Sequence, residues 1–163
     1  MGAKKTSAEL ALLLAILDEA YDRPGWHGPN LRGALRGLSA EGAAWRPGPG
    51  RNSIWQIALH CAYWKYAVRR RLTGEGRRGS FGRGPSNWPA LPAHRNGAAW
   101  RADLALLDQE HRRLREAVAS FEPSRLGERH GKSRAGRLIY GIAAHDLYHA
   151  GQVRLLIKLS GAK

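Results

Sequence analysis

Leu138-Ile-Tyr-Gly-Ile-Ala-Ala-His145-Asp-Leu-Tyr-His149-Ala-Gly-Gln152 reads as helix, and the rest of the chain is read from it. Stepped at about 100° per residue, Leu138, Ile142, His145, His149, Gln152 and Leu156 fall on one line. The line is predominantly apolar, so both histidines face inward. Two imidazoles four residues apart project from one face about a turn apart, a spacing that suits two ligands of one metal. The residue after His145 is Asp146 rather than Glu, so the zinc-protease pattern is excluded.

A second stretch, Ser53-Ile-Trp-Gln-Ile-Ala-Leu-His60-Cys-Ala-Tyr-Trp64, treats its histidine the same way. Ser53, Ile57, His60, Trp64 and Ala67 share one helical line. A single histidine on such a stripe is ordinarily a hydrogen-bonded core residue. Three on two core stripes need many partners, and leaving them unpaired is costly. A shared metal satisfies three nitrogens at once. Three imidazoles leave coordination positions open, as a catalytic metal requires.

The remaining pattern is helical. Stretches from about Ser7 to Tyr21, Asn52 to Leu72, Ala98 to Phe121 and Gly136 to Ser160 carry apolar stripes at helical spacing. Ser7 or Thr6 can cap the first, Asn52 or Ser53 the second; Gly74 and Gly161 can stop the second and fourth. No stretch alternates with period two long enough for a strand. The predicted class is all-α, a four-helix bundle with long crossover loops, and residues 1–163 are expected to form a single domain. The connections Asp22 to Arg51 and Thr73 to Gly97 are Gly/Pro-rich, and the first should hold short helical turns near Asn30–Leu38 and Ala40–Trp45. Loops this long cross the ends of a bundle or build a site.

Other residues take places from these patterns. Trp64 and Gln152 each lie about a turn from a histidine and should line the open side of the metal; Tyr148 is a further candidate. Trp26 and His27, an aromatic–imidazole pair on a Gly/Pro loop, are candidates to fold over the mouth. His111 sits on the third core stripe and reads first as a core residue. Cys61, about 100° round from His60, should not share the metal. Asp146 is off the histidine line by a similar angle. His94 and His130 lie in polar loops and should be solvated.

Charge and composition bound the alternatives. The net charge is +14, from 6 Lys and 21 Arg against 13 acidic residues. Such a surface attracts polyanions and small acids. The densest tract, Arg69–Arg71 with Arg77, Arg78 and Arg83, has one aromatic, Phe81, and no nucleic-acid reading motif, so nucleic-acid binding is not expected. One cysteine excludes an intrachain disulfide. The apolar run Leu10–Leu17 is too short to span a bilayer, and a soluble cytoplasmic protein is expected. The second helix has a second apolar patch, Trp55, Leu59, Ala62, Tyr63 and Tyr66, with a narrow polar wedge at Ala58, Lys65 and Arg69. A long loop or a second copy of the chain must cover it; a homodimer is the expectation.

Ile54-Trp55-Gln56-Ile57-Ala58-Leu59-His60, His145-Asp146-Leu147-Tyr148-His149-Ala150-Gly151-Gln152 and Trp45-Arg46-Pro47 together resemble the DinB-like superfamily, which includes the YfiT-type thiol transferases. The order of helices and loops agrees over nearly the full chain. The resemblance implies a four-helix bundle and a divalent metal (Ni, Zn, Fe or Mn) held by His60, His145 and His149; imidazoles do not choose between such metals. It further implies a frequent dimer, and transfer reactions that use a low-molecular-weight thiol such as bacillithiol or mycothiol. On this reading the metal activates the thiol, and Arg side chains hold the carboxylates of an acidic thiol cofactor. The competing readings are a hydrolase activating water at the same metal, and a non-enzymatic metal-binding stress protein.

Overall fold

The computed structural model describes residues 7–75 and 81–161. Four long helices dominate: α1 (Ala8–Tyr21), α4 (Ile54–Thr73), α5 (Gly97–Ala119) and α6 (Ala135–Ser160). Two short ones, α2 (Leu31–Ala34) and α3 (Ala40–Ala44), lie in the first long connection, at the places expected for helical turns. A 3₁₀ turn (Pro123–Arg125) and a hairpin of β1 (Arg129–His130) and β2 (Ser133–Arg134) link α5 to α6. Strands of two residues are too short to leave a period-two signal. The fold is all-α, as predicted from the helical stripes.

The helix ends follow from local chemistry. The Ser53 hydroxyl accepts the Gln56 amide and the Gln56 side chain accepts the Ser53 amide, a capping box worth about 1 kcal/mol. Ser7 and Asn96 cap α1 and α5. Gly74 and Gly161 stop α4 and α6 in the left-handed conformation, which glycine enters without strain. Thr6, the other cap considered for α1, lies outside the described residues.

Side-chain pairs give the helix directions. Tyr21 meets Asp108 while Asp18 meets Arg115, so α1 and α5 are antiparallel. Trp55 meets Asp103 and Arg69 meets Glu110, so α4 and α5 run parallel. His60 meets His149 while Lys65 meets Asp146, so α4 and α6 are antiparallel. Neighbouring parallel helices need a connection that returns the length of the bundle. A helix of 20 residues is about 30 Å long, which is why the α4–α5 crossover cannot be a short turn. Arg83 of the crossover pairs with buried Asp103 at 2.6 Å, and Phe81 packs on Tyr63 and Tyr66.

That crossover and α5 change the reading of α4's second apolar patch. Trp55, Leu59 and Ala62 are fully buried within the chain, and Trp55 packs on Trp100. The patch is covered by the chain's own α5 and crossover and does not call for a second copy. Two of the three residues of the supposed polar wedge are also interior, and the third, Arg69, is partly exposed. Ala58 and Lys65 have no exposed surface, and the Lys65 ammonium pairs with the equally buried Asp146 and lies over the Tyr21 ring.

The basic tract is likewise engaged. Arg69 pairs with Glu75 and approaches Glu110, Arg70 donates to the Tyr66 hydroxyl, and Arg83 holds Asp103. Arg77 and Arg78 lie outside the described residues. Among the described residues no helix is long and apolar enough to cross a membrane.

Candidate metal centre

His60 reaches the centre from the middle of α4, and His145 and His149 from successive turns of α6. Antiparallel packing of α4 on α6 brings the three rings together. The His145 Nε2 lies 3.0 Å from the His60 Nε2 and 3.1 Å from the His149 Nε2. The three histidines form one potential metal-binding cluster, with ligand atoms all within 4.8 Å of one another.

Two of the rings have their tautomers set from behind. The His60 Nδ1–H donates to the Asn87 carbonyl at 2.6 Å. The His149 Nδ1–H donates to the Gln152 Oε1 at 2.7 Å, and the Gln152 amide donates onward to the Tyr148 hydroxyl at 2.9 Å. Both rings therefore present a bare Nε2 lone pair to the centre, the orientation that ligating histidines use. His145 has one proton in its neutral form. Placed on Nε2, it must be shared between two acceptors and leaves the buried Nδ1 lone pair without a donor; placed on Nδ1, it leaves three lone pairs facing each other. The three facing lone pairs are satisfied by one divalent cation at about 2.0–2.1 Å from each nitrogen, with the His145 proton then on Nδ1. The donor set fits a metal.

Burial keeps the cluster in the ligating, neutral state. It lowers the pKa of His145 from 6.5 to about 3 and of His149 to about 4, assisted at His145 by the neighbouring imidazoles; it lowers His60 as well. The sign for stability follows. The unfolded chain takes up these protons near pH 6.5, whereas the folded metal-free protein resists them down to about 3–4. Stability is therefore fully present above pH 6.5 and declines as pH falls through that window. Imidazole NMR titration of the metal-free protein is expected to show these two rings still neutral at pH 5, while the urea midpoint drops between pH 7 and 4. Rings that titrate near 6.5 would contradict this burial.

The centre lies in a cleft of about 730 Å³. Trp64, Tyr148 and Gln152 line it, together with the three histidines. Trp26 and His27 do not. Trp26 is 98% exposed and, with His27, lines a separate hollow against Ile16 and Leu147. The reason is local: the Asn30 side chain donates to the Arg23 carbonyl and caps α2, folding this loop tightly at the end of α1. His111 is a core residue, stacked on Tyr21 at 3.7 Å, its pKa lowered by burial to about 2. His94 is exposed as expected, whereas His130 is half-buried and donates to the Arg71 carbonyl at 2.7 Å.

Cys61 lies near His145 and Asp146, the ligand atoms of the three within 4.8 Å. It is absent from the three-histidine group, and burial pushes its thiol well above the ordinary value, which disfavours the thiolate a metal would need. Burial also raises Asp146, opposed by Lys65.

Sequence reasoning passed over Asn87 and Trp88. Trp88 stacks on His60 at 3.8 Å, and Asn87 holds both the His60 ring and, through Oδ1, the Trp64 indole N–H at 2.9 Å. Asn87 adopts φ +70°, a left-handed conformation that Asn enters more readily than most residues. The faint signal was an Asn in a Gly/Pro-rich connection. Two predictions follow from these partners. Asn87→Gly, which keeps the backbone conformation and the carbonyl, is expected to retain metal affinity within about threefold, whereas Asn87→Ala is expected to lose about 10-fold or more. Gln152→Ala is expected to weaken metal binding by about 10–100-fold. Competition with a chromophoric chelator measures all three; equal affinities for Asn87→Ala and Asn87→Gly, or an unchanged Gln152→Ala, would show that these contacts do not support the ligands.

No curated protein and no solved structure matches the chain. The family profile described as the DinB superfamily matches residues 23–153. That span takes in α2 to α6 as far as the third histidine and its Gln152 partner, and on it the chain belongs to the DinB superfamily.

Proposed function

We propose that this chain is a divalent-metal-dependent enzyme that transfers a low-molecular-weight thiol, of the bacillithiol or mycothiol kind, to an electrophilic substrate. The observation that carries this reading is the convergence of three Nε2 atoms at one end of a cleft that contains no carboxylate among its described lining residues. When bound, the metal lowers the pKa of a thiol placed beside it and so makes a thiolate available near neutral pH. Water at the same place is a weaker acid and gains more from a neighbouring general base. Asp146, the carboxylate nearest in sequence to His145, is fully buried against Lys65 and does not line the cleft. The site therefore favours thiol transfer over hydrolysis.

The chain's own residues supply the surroundings. His60 and His149 are held in the tautomer that exposes Nε2 to the reacting end. Trp64 and Trp88 wall that end with apolar ring surface. The Tyr148 hydroxyl, already accepting from Gln152, stands at the rim with one proton free to donate to an oxygen of the electrophile. A thiol-dependent reaction and a single buried cysteine suit a reducing compartment, the cytoplasm.

The test is metal-replete protein incubated with small thiols and an alkylating electrophile, with conjugates read by mass spectrometry. Thiolate-to-metal charge-transfer absorption in the cobalt(II) form reports thiol binding directly. Conjugation that exceeds the uncatalysed rate only with metal supports the reading. Absence of both signals with every thiol tried removes it.

We also propose a homodimer, through a different surface from the α4 patch. Ile16, Trp26 and Leu147 meet in one exposed hollow, with Leu12 a turn away on α1. Sedimentation in moderate salt should give twice the chain mass for the wild type and a single chain for Leu147→Lys.

A further inference from the structure

The cleft does not end at the histidines. It continues between the N-terminal end of α4 and the C-terminal half of α6, lined by Pro47, Ile57, Leu155, Leu156 and Leu159. From His149 to Leu159 is ten residues of one helix, about 15 Å. Leu155 and Leu159 are 57% and 59% exposed although they face a concave surface. Large apolar side chains in a groove continuous with a reactive centre are the usual lining of a ligand site. Among the described lining residues, Arg51 is the one side chain with a fixed charge.

We infer that this groove binds the apolar body of the substrate, an unbranched alkyl or aryl-alkyl chain that is uncharged or anionic, while its head reaches the three histidines. The inference rests on the metal reading of the centre. It assigns the groove to a small molecule rather than to a second copy of the chain, because the groove opens directly onto the histidine nitrogens. A polar thiol cofactor gains little from a leucine wall, so the groove accommodates the electrophilic partner. Arg51 disfavours a cationic tail.

The experiment uses cobalt(II)-loaded protein and two ligand series, n-alkyl hydroxamates from acetohydroxamate to octanohydroxamate and n-alkanethiols from ethanethiol to octanethiol. Binding is read from the visible cobalt bands and from the change in tryptophan fluorescence, to which Trp64 and Trp88 in the cleft contribute. Hydroxamate affinity is expected to rise about twofold to fourfold per added methylene. The double variant Leu155→Gln/Leu159→Gln should flatten that rise and bind acetohydroxamate as the wild type does. A flat series in the wild type overturns the inference, as does a rise that survives the double variant. So does a double variant that merely halves the sedimentation mass, since the leucines would then be covered by a second copy. A rising hydroxamate series with no thiolate absorption from any thiol leaves the groove standing and removes the thiol-transfer reading. Thiolate absorption with flat or unbound hydroxamates does the reverse, and no binding of any hydroxamate or any thiol removes both.

Discussion

His145→Ala is expected to empty the centre: metal content falls from about one ion per chain to a small fraction of that, and affinity drops by more than the ~10–100-fold that loss of an outer hydrogen-bond partner costs. His145 is the ring through which the other two are joined, with its Nε2 at 3.0 and 3.1 Å from theirs. Removing it leaves two nitrogens on different helices, and two imidazoles chelate far less well than three. The loss should also appear as linkage. A metal present at about a thousand times its dissociation constant stabilises the folded wild type by about 4 kcal/mol, and the variant should lose that rise in melting temperature. Helical circular dichroism should be unchanged, because His145 is half-buried and alanine suits a helix interior. Metal analysis of protein without an affinity tag, with melting curves with and without metal, decides the matter. Equal metal content in wild type and variant would show that the cluster is a hydrogen-bonded core and no more.

The second large effect lies behind the centre. Lys65→Met is expected to destabilise the fold by about 3–5 kcal/mol, because it leaves the fully buried Asp146 without its cation. Asp146→Asn should cost a similar amount by stranding the ammonium. A domain of this kind has about 5–15 kcal/mol in total, so either change removes a large share of it. The double variant Lys65→Met/Asp146→Leu should recover most of the loss, since apolar side chains of similar volume replace buried ion pairs at little cost. Urea denaturation with unchanged slope measures all three. A single-variant loss below about 1 kcal/mol would mean that the pair is solvated in the folded protein. Asp146 follows His145 directly, so this pair also fixes how α6 is rotated at the centre.

Much of the centre was legible because helical periodicity is local. The stripe through Ser53, Ile57, His60 and Trp64 and the stripe through Leu138, Ile142, His145 and His149 state which way each imidazole faces without reference to any other helix. The cap at Ser53 and the stop at Gly74 are equally local, since each depends on backbone groups within one turn. That three inward histidines meet follows once two such helices pack.

What periodicity cannot carry is anything that depends on two segments at once. Lys65 looks like a solvent wedge on α4 alone and is interior only because Asp146 of α6 faces it across the bundle. The α4 patch around Trp55 and Leu59 looks unpartnered until α5 is laid parallel to α4 and the crossover is drawn back over it. That same return path delivers Asn87 and Trp88 to His60, from an aperiodic Gly/Pro-rich stretch that has no face of its own. Trp26 and His27 sit on a stretch just as aperiodic, yet it is tied down at the end of α1 and misses the cleft. The sequence by itself determined the four long helices and the faces that carry the three imidazoles. Which loop closes over those imidazoles was decided by helix direction, a long-range property that no local pattern encodes.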